Sequence, residues 1–321
     1  FAGRMTQSGA SEQKRPGLGR RLAWAGRLAR GVLYAVIALL VLGGVGLAAL
    51  ETRWGKNQLR ALIVREANQF LTATLEIDEL EGSLFRGLLL TGIRLSRDGE
   101  VLVAVDEVAL GYSIRELVQG GTTVRSLRLL RPRIAARKDV NGRWNLASLV
   151  RRDASDADRQ GPRRTIRLLS IEVVEGDVQL GSPLTLGGFQ LPTRYEMLNA
   201  SLSFAYVPVT WRLDFSEASW IGRAPDLTIT RLSGGIANGR DGWAFSDLQV
   251  RTPDSALGIN GRVARGQSPT TLDLTVDAER FRFQEWAGIV DLLGTMAIDS
   301  AFAVRLTGPM SALKVDLDLK S

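Results

Sequence analysis

The side chains that most often carry out covalent chemistry are missing from this chain: its 321 residues include no His and no Cys. That removes the usual general base, the thiol nucleophile and the commonest ligands for zinc, copper and haem iron. Disulfides are excluded too, so stability must come from packing and strand pairing. What remains is carboxylate chemistry. Two carboxylates flanking a glycosidic bond suffice for its hydrolysis, and adjacent acids such as Asp106 and Glu107 are present. Among 34 acids such pairs arise by chance in solvated turns, and no further feature singles one out. The expectation is a protein that is not an enzyme and holds no cofactor and no metal.

The residues whose spacing does stand out are apolar, and what they can do is bind. Leu202, Phe204 and Tyr206 alternate with polar neighbours, as do Val209, Trp211, Leu213 and Phe215. So do Leu272, Leu274 and Val276, then Phe302, Val304 and Leu306, then Leu313, Val315, Leu317 and Leu319. A period of two marks strands with one greasy and one wet face. The first thirteen of these residues are candidates for a groove that shelters acyl chains, at about 0.8 kcal/mol per buried methylene. Such contacts are non-directional and require no catalytic group. Alternating aromatics equally build the filled core of an ordinary sandwich, and periodicity does not separate the two.

The elements that must position these residues are mostly strands. Asp98-Gly99, Asn141-Gly142, Gly176-Asp177, Asn238-Gly239, Asp241-Gly242 and Asn260-Gly261 all tolerate positive φ, and the reading takes them as turns of antiparallel meanders. Helical periodicity is limited to a few places. Leu59, Leu62, Ile63, Ala67, Phe70 and Leu71 recur at helical spacing, and this amphipathic helix either caps the β-structure or lies on a membrane surface. Trp286, Ile289, Val290 and Leu293 share a face over Gln284 to Leu293, and Ile114, Leu117 and Val118 suit a single turn. Without β-α alternation a doubly wound sheet is not expected. The fold class is mainly β: a long curved antiparallel sheet with few short helices.

Ahead of all this, residues 31–50 run for twenty positions without a charge. As a helix at about 1.5 Å per residue the run spans roughly 30 Å, the thickness of a bilayer's hydrocarbon core. A cleavable signal peptide with small residues at Gly46 and Ala48 is the alternative, although its apolar core is ordinarily shorter. Seven of the 41 bases and one of the 34 acids precede the run, so the leader is expected in the cytoplasm and the remainder across the membrane. Beyond residue 30 the bases and acids nearly cancel and are interspersed, which argues against a nucleic-acid partner. The expected organisation is a basic leader over 1–30, an anchor over 31–50, an amphipathic helix over 51–72 and a first β segment over 73–150. A charged loop over 151–164 and a continuing β groove over 165–321 complete it. A chain that opens on Phe1 and closes inside an alternating pattern is expected to be part of a longer protein.

Several local features then coincide behind the anchor. Gly82 and Leu84 with Gly87, Leu88 and Ile93 form a first hairpin, followed by the strand Val105 to Leu110. Val124, Leu127, Leu129, Pro132 and Ile134 give a Leu-x-Leu-x-x-Pro-x-Ile pattern, and Asn141-Gly142-Arg143-Trp144-Asn145-Leu146 follows. Over residues 30–150 the chain resembles the AsmA-like superfamily, most closely the N-terminal part of its TamB branch. Beyond that the likeness is one of texture. The resemblance implies a bacterial inner-membrane protein with a single anchor and a periplasmic β groove of taco shape. It implies phospholipid as cargo between the two membranes, or assistance to outer-membrane protein assembly beside a TamA-like barrel. Trp144 is expected to anchor its turn, and Arg128, Arg131 and Arg133 to form a solvated strand face, with headgroup contact as the other reading.

Overall fold

The computed structural model describes residues 52–83, 87–113, 122–138, 142, 144–149, 165–186, 189–264, 270–290, 293 and 299–320. The leader, the expected anchor at 31–50, the charged stretch 151–164 and the expected turn at Ile114, Leu117 and Val118 lie outside them. Among the described residues no helix is long and apolar enough to cross a membrane.

A helix, Arg53–Phe70, comes first, and Thr52 Oγ1 caps it by accepting the Gly55 N–H at 3.2 Å. Its expected apolar stripe divides: Leu59, Ile63 and Ala67 are half-buried, whereas Leu62 and Phe70 are exposed. The helix is held to the sheet by polar contacts. Asn68 exchanges two hydrogen bonds with the Leu75 backbone, at 3.2 and 2.7 Å, and Arg60 donates to the Ile77 carbonyl at 2.9 Å.

The described strands are β1 (Thr74–Glu76), β2 (Glu79–Ser83), β3 (Gly87–Arg97), β4 (Glu100–Tyr112), β5 (Thr122–Leu130), β6 (Arg133–Ala136) and β7 (Ile166–Leu180). After the short β8 (Leu184–Leu186) and β9 (Phe189–Leu191) come β10 (Arg194–Val207), β11 (Thr210–Arg223), β12 (Leu227–Gly239) and β13 (Gly242–Arg251). The series closes with β14 (Ala256–Ala264), β15 (Thr271–Arg282), β16 (Asp299–Pro309) and β17 (Lys314–Lys320). Fifteen of them form one sheet, and β8 with β9 makes a separate hairpin. From β10 to β17 every strand pairs with the next, so the sheet grows by simple meander.

The sheet is not antiparallel throughout, which corrects the expectation. β5 and β6 both pair with β7 in parallel. Parallel neighbours need a connection of a dozen residues or more. The chain between Leu130 and Ile166 is long enough, and β6 uses its first part to wedge between β4 and β7.

Three of the expected turns are also corrected. Asn238-Gly239 closes β12, and the reversal falls on Arg240 and Asp241. Gly176-Asp177 lies inside β7 and Asn260-Gly261 inside β14. Both adjoin β-bulges, whose left-handed residues are Glu175 in β7 and, opposite Asn260-Gly261, Asp247 in β13. Register shifts in β7, β10, β11, β12 and β13 line up from strand to strand, with positive φ at Glu175, Met197, Gly234 and Asp247. Asparagines secure two of these bulges. Asn199 Oδ1 accepts the Glu175 N–H at 3.0 Å, and Asn260 Oδ1 accepts the Asp247 N–H at 2.6 Å. Each bulge bends its strand and increases its twist, so a line of them bends the sheet along that line.

Gly234 shows how closely the bulges approach each other. Its φ is +110°, and a Cβ there would stand 2.3 Å from the Asp247 carbonyl oxygen. Gly234→Ala should therefore cost about 3 kcal/mol, from left-handed strain together with displacement of β13. Chemical denaturation would measure it, and Ala237→Gly on the same strand, predicted to cost about 1 kcal/mol, is the control.

From β11 to β16 the apolar face is packed most tightly toward one end of the strands, where Ala218, Leu257 and Ala278 are buried. Ala218, Leu232, Val250, Leu257, Ala278 and Phe302 form a cross-strand row from β11 to β16. Over that end lies a strap, residues 283–290 with Leu293, which returns from the end of β15. Trp286, Ile289 and Val290 of the strap pack on Trp220, Leu227, Ile229 and Leu232. Trp286 and Leu293 also meet Leu257, Ala278 and Phe281. The helical spacing seen in this stretch is realised as a 3-10 turn, Phe283–Trp286, and the turns that follow it.

Candidate functional site

Thirteen side chains were expected to face a groove, and the register shows which of them stand together. Tyr112, Val124, Leu168, Phe204, Leu213, Ile236 and Phe245 form one continuous row, which carries on through Gly261, Leu274, Leu306 and Val315. This row crosses every strand on the path from β4 to β17. At about 4.8 Å per strand step it is roughly 48 Å long. On one flank of it run Ile171, Leu202 and Phe215, and on the other Ile166, Tyr206 and Trp211. Leu272 is in register with Val263, and Val276 with Ile259 and Val304, so these belong to the same apolar face.

Two of the thirteen are placed differently. Val209 is not on a strand: it has φ +74° in the two-residue turn between β10 and β11. Its N–H meets the Tyr206 hydroxyl at 3.4 Å. Phe302 is occupied by packing, since its ring meets Phe281 at 5.5 Å within the cluster under the strap. The row also contains Leu168, Ile236 and Phe245, which the reading of the sequence did not select.

Burial distinguishes this strip from a sandwich core. Inward residues of a filled sandwich are buried from both sides. Here each of the thirteen is half-buried and none is fully buried, whereas Leu248, Ala278 and Phe281 nearer the strap are. The apolar face thus has a packed margin beneath the strap and an accessible strip beside it. At the β17 edge exposure rises further, with Val315, Leu317 and Leu319 exposed by 56, 59 and 66%.

The opposite face is charged and solvated. Arg128 pairs with Glu172 at 3.3 Å, Arg212 with Asp214 at 2.6 Å, and Arg305 with Asp273 at 3.8 Å. Half-exposed pairs of this kind contribute little stability, and they keep that face wet. On β4 the apolar face carries charge as well, because Asp106, in step with Tyr112, accepts from both Arg131 and Arg133 at 2.8 and 2.9 Å. As strand neighbours Asp106 and Glu107 project to opposite faces, so they do not confront one substrate. Among the described residues no cluster of three or more acids suits a metal ion.

The strap is tied down by one carboxylate. Glu285 Oε2 accepts the Thr252 and Ser255 hydroxyls at 2.6 Å each, and Oε1 accepts the Asp254 N–H at 3.2 Å. Ser255, 1% exposed, also receives the Arg282 N–H and the Trp286 indole N–H at 3.1 Å. Nothing in the local sequence signals this latch, because its partners lie about thirty residues apart. Trp144 bridges to Lys138, whose Nζ lies 5.2 Å from its ring, and Asn145 beside it binds the Arg137, Leu146 and Ala135 backbone.

Burial pushes the Tyr195 phenol above its ordinary 10.0, where the ring stands edge-on to Trp220 at 6.2 Å. The folded state therefore favours the neutral phenol. Its contribution is complete below pH 10.0 and falls as pH rises past that value, so unfolding followed across that range should show a loss that Tyr195→Phe lacks.

The chain matches no family model, no curated protein and no solved structure.

Proposed function

We propose that this chain is a membrane-anchored periplasmic protein of the AsmA-like type that shelters phospholipid acyl chains in an apolar trough between the inner and outer membranes. The observation that supports it is the mostly apolar row across eleven strands, half-buried from Tyr112 to Leu306 and exposed at Val315. Side chains that are neither sealed nor fully wet leave the cost of their hydration to be relieved by a ligand. A lipid tail relieves it without directional contacts, so it binds and still slides. Outer-membrane protein assembly beside a TamA-like barrel is a further role within the same reading. The charge-free run at 31–50 supports the anchor and the basic leader its orientation.

The test is capture in living cells. A photo-activated residue in place of Leu213 should form a phospholipid adduct, and one in place of Arg212, on the charged face, should not. Absence of adduct at Leu213 would overturn the reading.

A second reading is an anchored scaffold that takes a strand from another envelope protein. It is supported by β17, whose outer edge has no partner strand among the described residues and whose apolar side chains are exposed. Stoichiometric adducts from β17 to one protein, with no lipid at Leu213, would favour it.

A further inference from the structure

The two margins of the apolar face are chemically different. One is packed beneath the strap. The other, where β10 turns into β11 and β12 into β13, carries amphipathic aromatics around a carboxamide. Trp211, Asn238 and Trp243 stand in direct register on β11, β12 and β13. The two indoles meet edge-to-face at 5.4 Å and 85°, although their strands are separated by β12. Strands two apart are about 9.6 Å from each other, so both rings lean inward over the position of Asn238. Tyr206 lies in register with Trp211 and turns its hydroxyl toward the Val209 N–H. Asn238 is half-buried, and its carboxamide, which bonds to no group among the described residues, still reaches solvent.

Trp and Tyr suit a boundary with one side oily and the other wet. A carboxamide at the edge of an apolar face is open to a ligand's polar group, because it can both donate and accept. We propose that the rim formed by Tyr206, Trp211, Asn238 and Trp243 is the subsite for the ester region of a glycerophospholipid. The Asn238 carboxamide donates to an acyl carbonyl, the rings cover the glycerol side of that bond, and the tails run past Leu213 and Phe215 toward the strap. This gives the lipid a fixed polarity across the sheet, with its head at the hairpin-turn margin. The inference rests on the lipid reading above and adds an orientation that the reading does not contain.

Two phosphatidylcholine probes decide it, one with a diazirine beside the acyl carbonyl and one with it beside the terminal methyl. Each is incubated with the full chain, irradiated and mapped by peptide mass spectrometry. The carbonyl probe should label Tyr206, Trp211 or Trp243 at least about fivefold more than Leu232 or Val250, and the methyl probe should reverse that ratio. Asn238→Leu should reduce the ratio toward one while total labelling persists, and Asn238→Gln should retain it. Labelling of the apolar face with the same pattern for both probes overturns the orientation and leaves the lipid reading intact. Absence of labelling there with either probe overturns both. A ratio unchanged in Asn238→Leu overturns the role of the carboxamide, and adducts to a second copy of the chain in place of lipid overturn the subsite.

Discussion

Glu285→Ala should destabilise the folded chain by about 3 kcal/mol, because it strips a partner from two hydroxyls and a backbone N–H in a largely dry setting. The Ser255 hydroxyl and the Asp254 N–H would lose their acceptor at once, and the Thr252 hydroxyl would keep only the Ser255 carbonyl at 3.3 Å. Ser255 cannot turn to water, since it is 1% exposed. The loss would spread: Trp286 bonds to the same serine, and Trp286 belongs to both buried clusters under the strap. Glu285→Gln should cost less, about 1 to 2 kcal/mol, because one amide oxygen still accepts. Urea denaturation of the three proteins measures the series. Equal midpoints for wild type and Glu285→Ala would show that the strap is not held by this latch.

The second large effect concerns the strip itself. Leu213→Asp combined with Leu274→Asp places two carboxylates in the central row, at half-buried positions on β11 and β15. Neither site is sealed, so the charges remain hydrated and the stability cost should be moderate, about 1 to 2 kcal/mol for each. A lipid tail crossing the row would have to dehydrate them, which it cannot do at a tolerable cost. Adduct yield from a photo-activated residue at Phe204 should fall at least about tenfold, while the denaturation midpoint stays well above working temperature. Arg212→Asp with Arg305→Asp, on the opposite face, should leave the yield unchanged.

Much of the sheet was legible because the period of two is a direct consequence of the pleat. β10, β11, β15, β16 and β17 all follow runs that alternate cleanly in the sequence. Val209 continued that alternation on paper, yet the chain reverses there, and alternation alone does not mark the last residue before a turn. Beside Gly176 it is Glu175 that takes the left-handed backbone, whereas Gly261, at φ +130°, was ambiguous because a turn and a bulge both use backbone that glycine adopts most readily. Only the flanking strand pairing distinguishes them, and that is a long-range property. Trp243 and Phe245 alternate as plainly as Trp211 and Leu213, so their signal was present. Ile236 was not visible in the same way, because Gly235 and Ala237 beside it give no polar contrast. The parallel step from β5 to β7 depends on a connection whose course is not written in periodicity, and the Glu285 latch depends on partners about thirty residues away.

The central proposition is that the apolar face is a binding surface and not a core. Native mass spectrometry of the full chain, released from detergent after incubation with phosphatidylethanolamine, tests it most directly. The strip predicts chains carrying one or more lipids, with the bound population abolished by Leu213→Asp and Leu274→Asp together. Lipid-free wild-type chains, or a double variant that loads as well as wild type, would contradict it.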